Sequence, residues 1–169
     1  MPTPCCQVTP HDPVRPATHA DHAEIVRVVN LAYRVEDFFV RGDRLTPALL
    51  TTYASRPAGA FLVVDGETPG TLAASVYFEQ RADRGWFGML AVDPAAQGRG
   101  LARALIVAVE ERCRRSGLES LELEMVDLRT ELPAFYERFG FEITGRRPFP
   151  DPEKLKRPAE MIVMGKHVR

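Results

Sequence analysis

Apolar residues recur at Ile25, Val28, Val29 and Ala32, the i, i+3, i+4, i+7 spacing that turns one helix face toward a core. Thr18 and Asp21 precede them at capping-box spacing and mark the start of this first helix. Thr46-Pro47 opens a second, short helix, because proline at the first helical position lacks only an N–H that would be unpaired there anyway. Leu49, Leu50 and Tyr53 form the face it would bury. The period then changes. Phe61 to Val64, Thr71 to Phe78 and Trp86 to Val92 are short runs of strand formers, and Asp65-Gly66 and Asp83-Arg84-Gly85 are the turn signals between them, which predicts an antiparallel meander. Helical spacing returns at Ala102, Leu105, Ile106, Val109 and Cys113 and stops at Gly117. Leu121, Leu123 and Met125 alternate with Glu122 and Glu124 in a further strand, and a helix from about Thr130 to Phe139 ends at Gly140. Phe141 to Thr144 and Met161 to Met164 close the chain as two strands around a proline-rich, basic connection. This order predicts an α/β (α+β) domain in which a mixed sheet of about six or seven strands carries helices on both faces.

Composition narrows the picture. Residues 1–16 hold five of the fourteen prolines and read as a flexible tail, which leaves 17–169 as a single domain. With 45% hydrophobic and 27% charged residues the chain can form a core. The 22 Lys and Arg against 23 Asp and Glu give a net charge of -1, so there is no overall electrostatic footprint for nucleic acid or an anionic membrane, and any anion site must be local. No apolar run is long enough to span a bilayer, and no signal-like segment precedes Arg15, so a cytoplasmic protein is expected. Cys5, Cys6 and Cys113 cannot close a disulfide framework and lack paired zinc spacing. Cys5 and Cys6 can be drawn with His11, His19 and His22 as a metal cluster, but ligands near a loose terminus are not held in geometry, and no metal is expected. Cys113 falls on the apolar stripe of its helix and reads as a small buried hydrophobe.

The candidate chemistry centres on Gln97-Gly98-Arg99-Gly100-Leu101-Ala102, between a strong strand and the first turn of a strongly amphipathic helix. That turn offers unpaired N–H groups and the positive end of the helix dipole, and glycines 98 and 100 let a diphosphate approach closely. An ordinary glycine turn is the competing reading. A P-loop requires Gly-Lys-Ser/Thr where this chain has Gly100-Leu101-Ala102, and a dinucleotide fingerprint requires a third glycine where it has Arg103.

The hexapeptide resembles the Gln/Arg-x-x-Gly-x-Gly/Ala motif of the GNAT superfamily of acyl-CoA-dependent N-acetyltransferases. Leu90-Ala91-Val92-Asp93-Pro94 is similar to the family's fourth strand, and Phe135-Tyr136-Glu137-Arg138-Phe139-Gly140-Phe141 to its Tyr-x-x-x-Gly-Phe segment. The element order agrees from residue 17 to 169. The resemblance implies a sheet whose fourth and fifth strands splay apart around the pantetheine arm of acetyl-CoA. It assigns the N–H groups of Gln97, Gly98, Arg99, Gly100, Leu101 and Ala102 to the coenzyme A pyrophosphate, and main-chain pairing with the arm to Leu90, Ala91 and Val92. Tyr136 corresponds to the tyrosine that protonates the departing thiolate, although its spacing with Leu132 and Phe139 also suits a core aromatic. Glu124, twelve positions earlier, corresponds to the base of the protein N-terminal acetyltransferase branch, although alternation alone would turn both Glu122 and Glu124 to water. Arg129 stands where the family often has Asn, so the acceptor end departs from the pattern.

The function implied is direct transfer of an acetyl group from acetyl-CoA to a primary amine of a small molecule. A protein N-terminal acetyltransferase and a catalytically silent acyl-CoA-binding module are the alternatives, and a homodimer is left open. Between Arg146 and Arg157 five basic residues face two acidic ones. With Arg34, Glu36 and Arg44 across the mouth, Arg34 and Arg147 are expected to grip an anionic group of the acceptor and Glu36 its ammonium, against the plainer reading of a solvated hairpin.

Overall fold

The computed structural model describes residues 13–168. Seven strands form one sheet in the order β1-β2-β3-β4-β5-β7-β6: β1 Val14–Pro16, β2 Gly59–Asp65, β3 Leu72–Arg81, β4 Arg84–Val92, β5 Ser120–Val126, β6 Glu142–Pro148 and β7 Glu160–His167. Helices α1 His22–Tyr33 and α2 Pro47–Ala54 precede the meander β2-β3-β4; α3 Leu101–Arg115 joins β4 to β5, and α4 Leu132–Glu137 joins β5 to β6. The expected order therefore stands, with one strand more. Val14–Pro16, read as tail because of their proline neighbourhood, pair antiparallel with Leu62–Val64. An edge strand tolerates proline on its unpaired side. Arg15 anchors it by reaching both Asp21 and Asp65. Cys5, Cys6 and His11 lie outside the described residues, while the His19 and His22 rings stack 4.7 Å apart.

The sheet has a core on each face. Ile25, Val28 and Val29 of α1 and Leu50 of α2 pack against Phe61, Val63, Tyr77, Met89 and Ala91. On the opposite face Leu105, Ile106, Val109 and Cys113 of α3 meet Val76, Phe78, Phe87, Leu121, Leu123 and Met164. The periodicity located these stripes, with one exception: Leu49, expected with Leu50 on the buried face of α2, is 39% exposed. Thr46 caps α2 by accepting from the Leu49 N–H at 3.2 Å. Among the described residues no helix is long and apolar enough to cross a membrane.

Strands β4 and β5 run parallel but pair only over Gly85–Phe87 with Leu121–Leu123, and beyond those residues they part. A bulge in β4 prepares the split. Between the pairs Tyr77–Gly88 and Ser75–Ala91, β4 has two residues where β3 has one. Met89 takes the strain there with φ 51, a left-handed conformation uncommon outside glycine. In consequence Met89 and Ala91 pack toward α1, while Leu90 and Val92 turn to the opposite side.

Candidate active site

The parted strands open into a cavity of about 1010 Å³ that runs from the start of α3 to the loop after α1. At the α3 end, Gly98 and Gly100 have φ of 78 and 76, and Gly100 occupies the N-cap in the left-handed region. A Cβ at either position would meet no heavy atom within 4 Å, so these glycines answer to backbone conformation and to open space in front of the turn, not to crowding. Ala96 donates to Asp93 and Ala104 to Gly100, but between them no main-chain carbonyl among the described residues accepts from the N–H groups of Gln97 through Arg103. Seven consecutive unpaired donors at a helix N-terminus are a donor set suited to a diphosphate. The coenzyme A pyrophosphate therefore fits here. The Arg99 side chain turns away to Glu67, at 2.5 Å.

The middle of the cavity is walled by Leu90 and Val92 of β4, by Glu124, Met125 and Val126 of β5, and by Tyr136 of α4. Ala91 belongs to the opposite core and does not line it. Tyr136 belongs both to the core and to the cavity wall. Its ring packs against Phe87, Phe135 and Phe141, and its hydroxyl, with no hydrogen-bond partner among the described residues, borders the cavity. Burial raises its pKa well above the ordinary tyrosine value, and Tyr33 adds to the effect, so the hydroxyl keeps its proton. Glu122 and Glu124 do not simply face water. Arg84 holds Glu122 at 2.6 Å, and Arg147 reaches across β7 to hold Glu124 Oε1 at 2.7 Å.

The far end is built by the loop between α1 and α2. Asn30 of α1 donates to the Leu45 carbonyl at 2.8 Å and accepts from the Leu45 N–H at 2.9 Å, which pins the return of the loop. Its outer part bonds to the β6–β7 connection. Lys156 N–H donates to Phe39 O, Arg41 N–H to Lys154 O, and Val40 bridges Leu155. The two segments expected to face each other across the mouth are thus joined by main-chain hydrogen bonds. Glu36 lines this end with 13% of its side chain exposed, 3.2 Å from Arg129 Nη1. Burial pushes its pKa up, and Arg44 and Arg129 only partly oppose this. Tyr33 lines the same end, with the Arg44 guanidinium over its ring at 5.1 Å.

Arg34, Glu36, Glu124 and Tyr136 therefore share one cavity with the glycine turn. Arg147 does not line it, because its guanidinium is spent on Glu124. The rest of the basic run is likewise engaged: Arg146 with Glu160, Lys154 with Asp151, Lys156 with the Asp37 carbonyl, and Arg157 over the Phe38 ring. Sequence reasoning missed Tyr33 altogether. It noticed Arg129 only as a departure from a pattern, and that departure was the available signal.

Residues 24–141 match the family model described as the acetyltransferase (GNAT) family. Among curated relatives, the mycothiol acetyltransferase of Gordonia bronchialis is 32% identical over 136 residues, covering 77% of this chain and 44% of that protein. The one from Rhodococcus erythropolis is 34% identical over 132 residues, covering 72% and 43%. The chain thus spans less than half the length of the curated relatives it matches. Two solved structures share the fold: the ribosomal-protein-S18-alanine N-acetyltransferase from Escherichia coli (TM-score 0.73, 19% identity, 92% of each chain) and yncA from Salmonella typhimurium with its cofactor acetyl-CoA (TM-score 0.71, 22% identity, 92% of this chain and 93% of that one).

Proposed function

Because the chain belongs to the acetyltransferase (GNAT) family, we propose that it transfers the acetyl group of acetyl-CoA directly to the primary amine of a small molecule. The observation that carries this reading is the single cavity joining the glycine turn with its unpaired N–H groups, a buried tyrosine that keeps its proton and an enclosed carboxylate. Acetyl-CoA supplies a thioester carbonyl activated toward an amine nucleophile. The turn Gln97–Ala102 binds its diphosphate, and Leu90 and Val92 line the path of its arm through the split between β4 and β5. Tyr136 holds a proton at the hydroxyl, available to the departing sulfur. An alkylammonium, with a pKa of about 10.4, must lose a proton before it can attack, so a base such as Glu124 or a chain of waters is required as acceptor or relay.

Arg34 and Glu36 meet the acceptor, and Arg147 acts through Glu124 instead of touching the acceptor itself. A small molecule suits the far end, where Val40 bridges Leu155 and the loop after α1 is tied to the β6–β7 connection. The curated relatives named mycothiol acetyltransferase also favour a small acceptor. The test is a panel of primary amines assayed for free-thiol release: amino acids and their amides, amino sugars, polyamines, and short peptides with free N-termini. Fastest turnover of a small amine supports the reading. Fastest turnover of the peptides would make a protein N-terminus the acceptor.

A further inference from the structure

Five carboxylates border the cavity. Asp37 and Asp43 are exposed, and Asp151 is half-exposed and paired with Lys154 at 3.1 Å, which leaves Glu36 and Glu124 as the two enclosed ones, and their surroundings differ. Glu124 is gripped by Arg147 at 2.7 Å, and that guanidinium is 56% exposed. Glu36 is the more enclosed of the two, and its nearest cation is shared. Arg129 gives its Nε to Glu131 at 2.6 Å and only the longer, 3.2 Å contact to Glu36. Glu36 thus lies at the acceptor end with Tyr33 and Arg44 beside it, held in place without being tightly neutralised.

We propose that Glu36 is the proton acceptor for the incoming amine and that Arg129 is the positioning residue that holds it at the cavity wall. This rests on the acetyl-transfer reading above. One N–H bond of the ammonium breaks, its electron pair stays on nitrogen, and the proton forms an O–H bond on Glu36. The products of the step are a neutral amine and a carboxylic acid, which returns its proton to solvent after turnover. The groups facing Glu36 act in opposed senses: burial raises its proton affinity, Arg44 and Arg129 lower it, and Glu131 raises it again, for a net rise. Each unit by which this narrows the gap to the ammonium's pKa is worth about tenfold in the neutral amine formed.

The experiment uses the fastest amine of the panel and follows kcat/KM against pH for Glu36→Gln, Glu124→Gln and Arg129→Met, with acetyl-CoA affinity measured alongside. The Glu36 carboxyl is also titrated by carbon NMR in the free protein. Glu36→Gln is expected to lose at least ~10²-fold in kcat/KM and the acid limb of the profile, with acetyl-CoA affinity retained. Glu124→Gln is expected to change the height of the profile and leave that limb where it is. In the wild type the Glu36 carboxyl should titrate above the ordinary value of 4.5. Arg129→Met should move both that titration and the limb to higher pH together. The inference is overturned if the limb disappears with Glu124→Gln instead, if Glu36 titrates at or below its ordinary value, or if Arg129→Met leaves the limb in place. A wild type that transfers acetyl while Glu36→Gln behaves normally sinks this inference alone. A wild type with no amine-dependent thiol release sinks the acetyl-transfer reading with it.

Discussion

Replacing Gly100 with alanine separates the conformational demand of the turn from its role as a phosphate cradle. At φ 76 and ψ 14 the residue is in the left-handed region, where a side chain costs about 1–2 kcal/mol. No atom lies within 4 Å of the added Cβ, so no clash adds to that cost. Gly117, beyond the other end of α3, is a matched control: its φ is 71, and a Cβ there also meets nothing within 4 Å. At roughly 2–4 °C per kcal/mol for a chain of this size, both Gly100→Ala and Gly117→Ala should lower Tm by about 2–8 °C. Only Gly100 stands among the unpaired N–H groups. A hydrogen bond to a charged group contributes about 1.5–3 kcal/mol, so displacing one should weaken acetyl-CoA binding by about 10–100-fold. Differential scanning fluorimetry and isothermal titration of acetyl-CoA read the two effects separately. Equal acetyl-CoA affinity for the two variants would refute the cradle, whatever happened to Tm.

Tyr136→Phe keeps the ring in its aromatic cluster and removes only the hydroxyl, so kcat should fall by about 10²-fold or more while acetyl-CoA affinity holds; unchanged kcat would leave solvent as the proton donor. Because the Tyr136 pKa is raised above its ordinary 10.0, the hydroxyl is protonated at and below that pH, and the wild-type kcat profile should show no fall that Tyr136→Phe abolishes below pH 10. Asn30→Ala removes both bonds to Leu45 and leaves their partners in a partly buried place, which should cost about 1–3 kcal/mol in chemical denaturation and raise the acceptor KM by loosening the loop over Glu36. Arg15 holds the Asp21 carboxyl well below the usual carboxylate range, so this stabilisation is complete above the unfolded-state pKa and is lost as pH falls through the folded-state value. Asp21→Asn should therefore flatten the acid side of the stability curve, and an unchanged curve would argue against the pair.

What the sequence revealed and what it hid follow from the range of the interactions. Helix stripes such as Leu105, Ile106, Val109 and Cys113 are local periodicities, and all four are fully buried where the spacing put them. The glycine turn was legible because its conformational demand is local too. The bulge at Met89 was not, since Gly88-Met89-Leu90 carries no turn signal and the strain is imposed by pairing with β3 and packing under α1. The ion pairs that shape the site join distant positions: Glu36 with Arg129, and Glu124 with Arg147 across an intervening strand. A charge count between residues 146 and 157 therefore suggested free cations where the fold had already placed a carboxylate, a carbonyl or a ring beside each of the five. Pro16 misled in the same way, because membership of an edge strand depends on a partner far along the chain.

The central claim is acetyl transfer to an amine, and the most direct measurement is a stoichiometry: free thiol released from acetyl-CoA and acetylated amine formed, counted in the same reaction by thiol titration and mass spectrometry. One thiol for each acetylated amine is expected, with negligible thiol in the absence of amine. Release at the same rate with and without amine, or tight acetyl-CoA binding with no product from any amine of the panel, would contradict it.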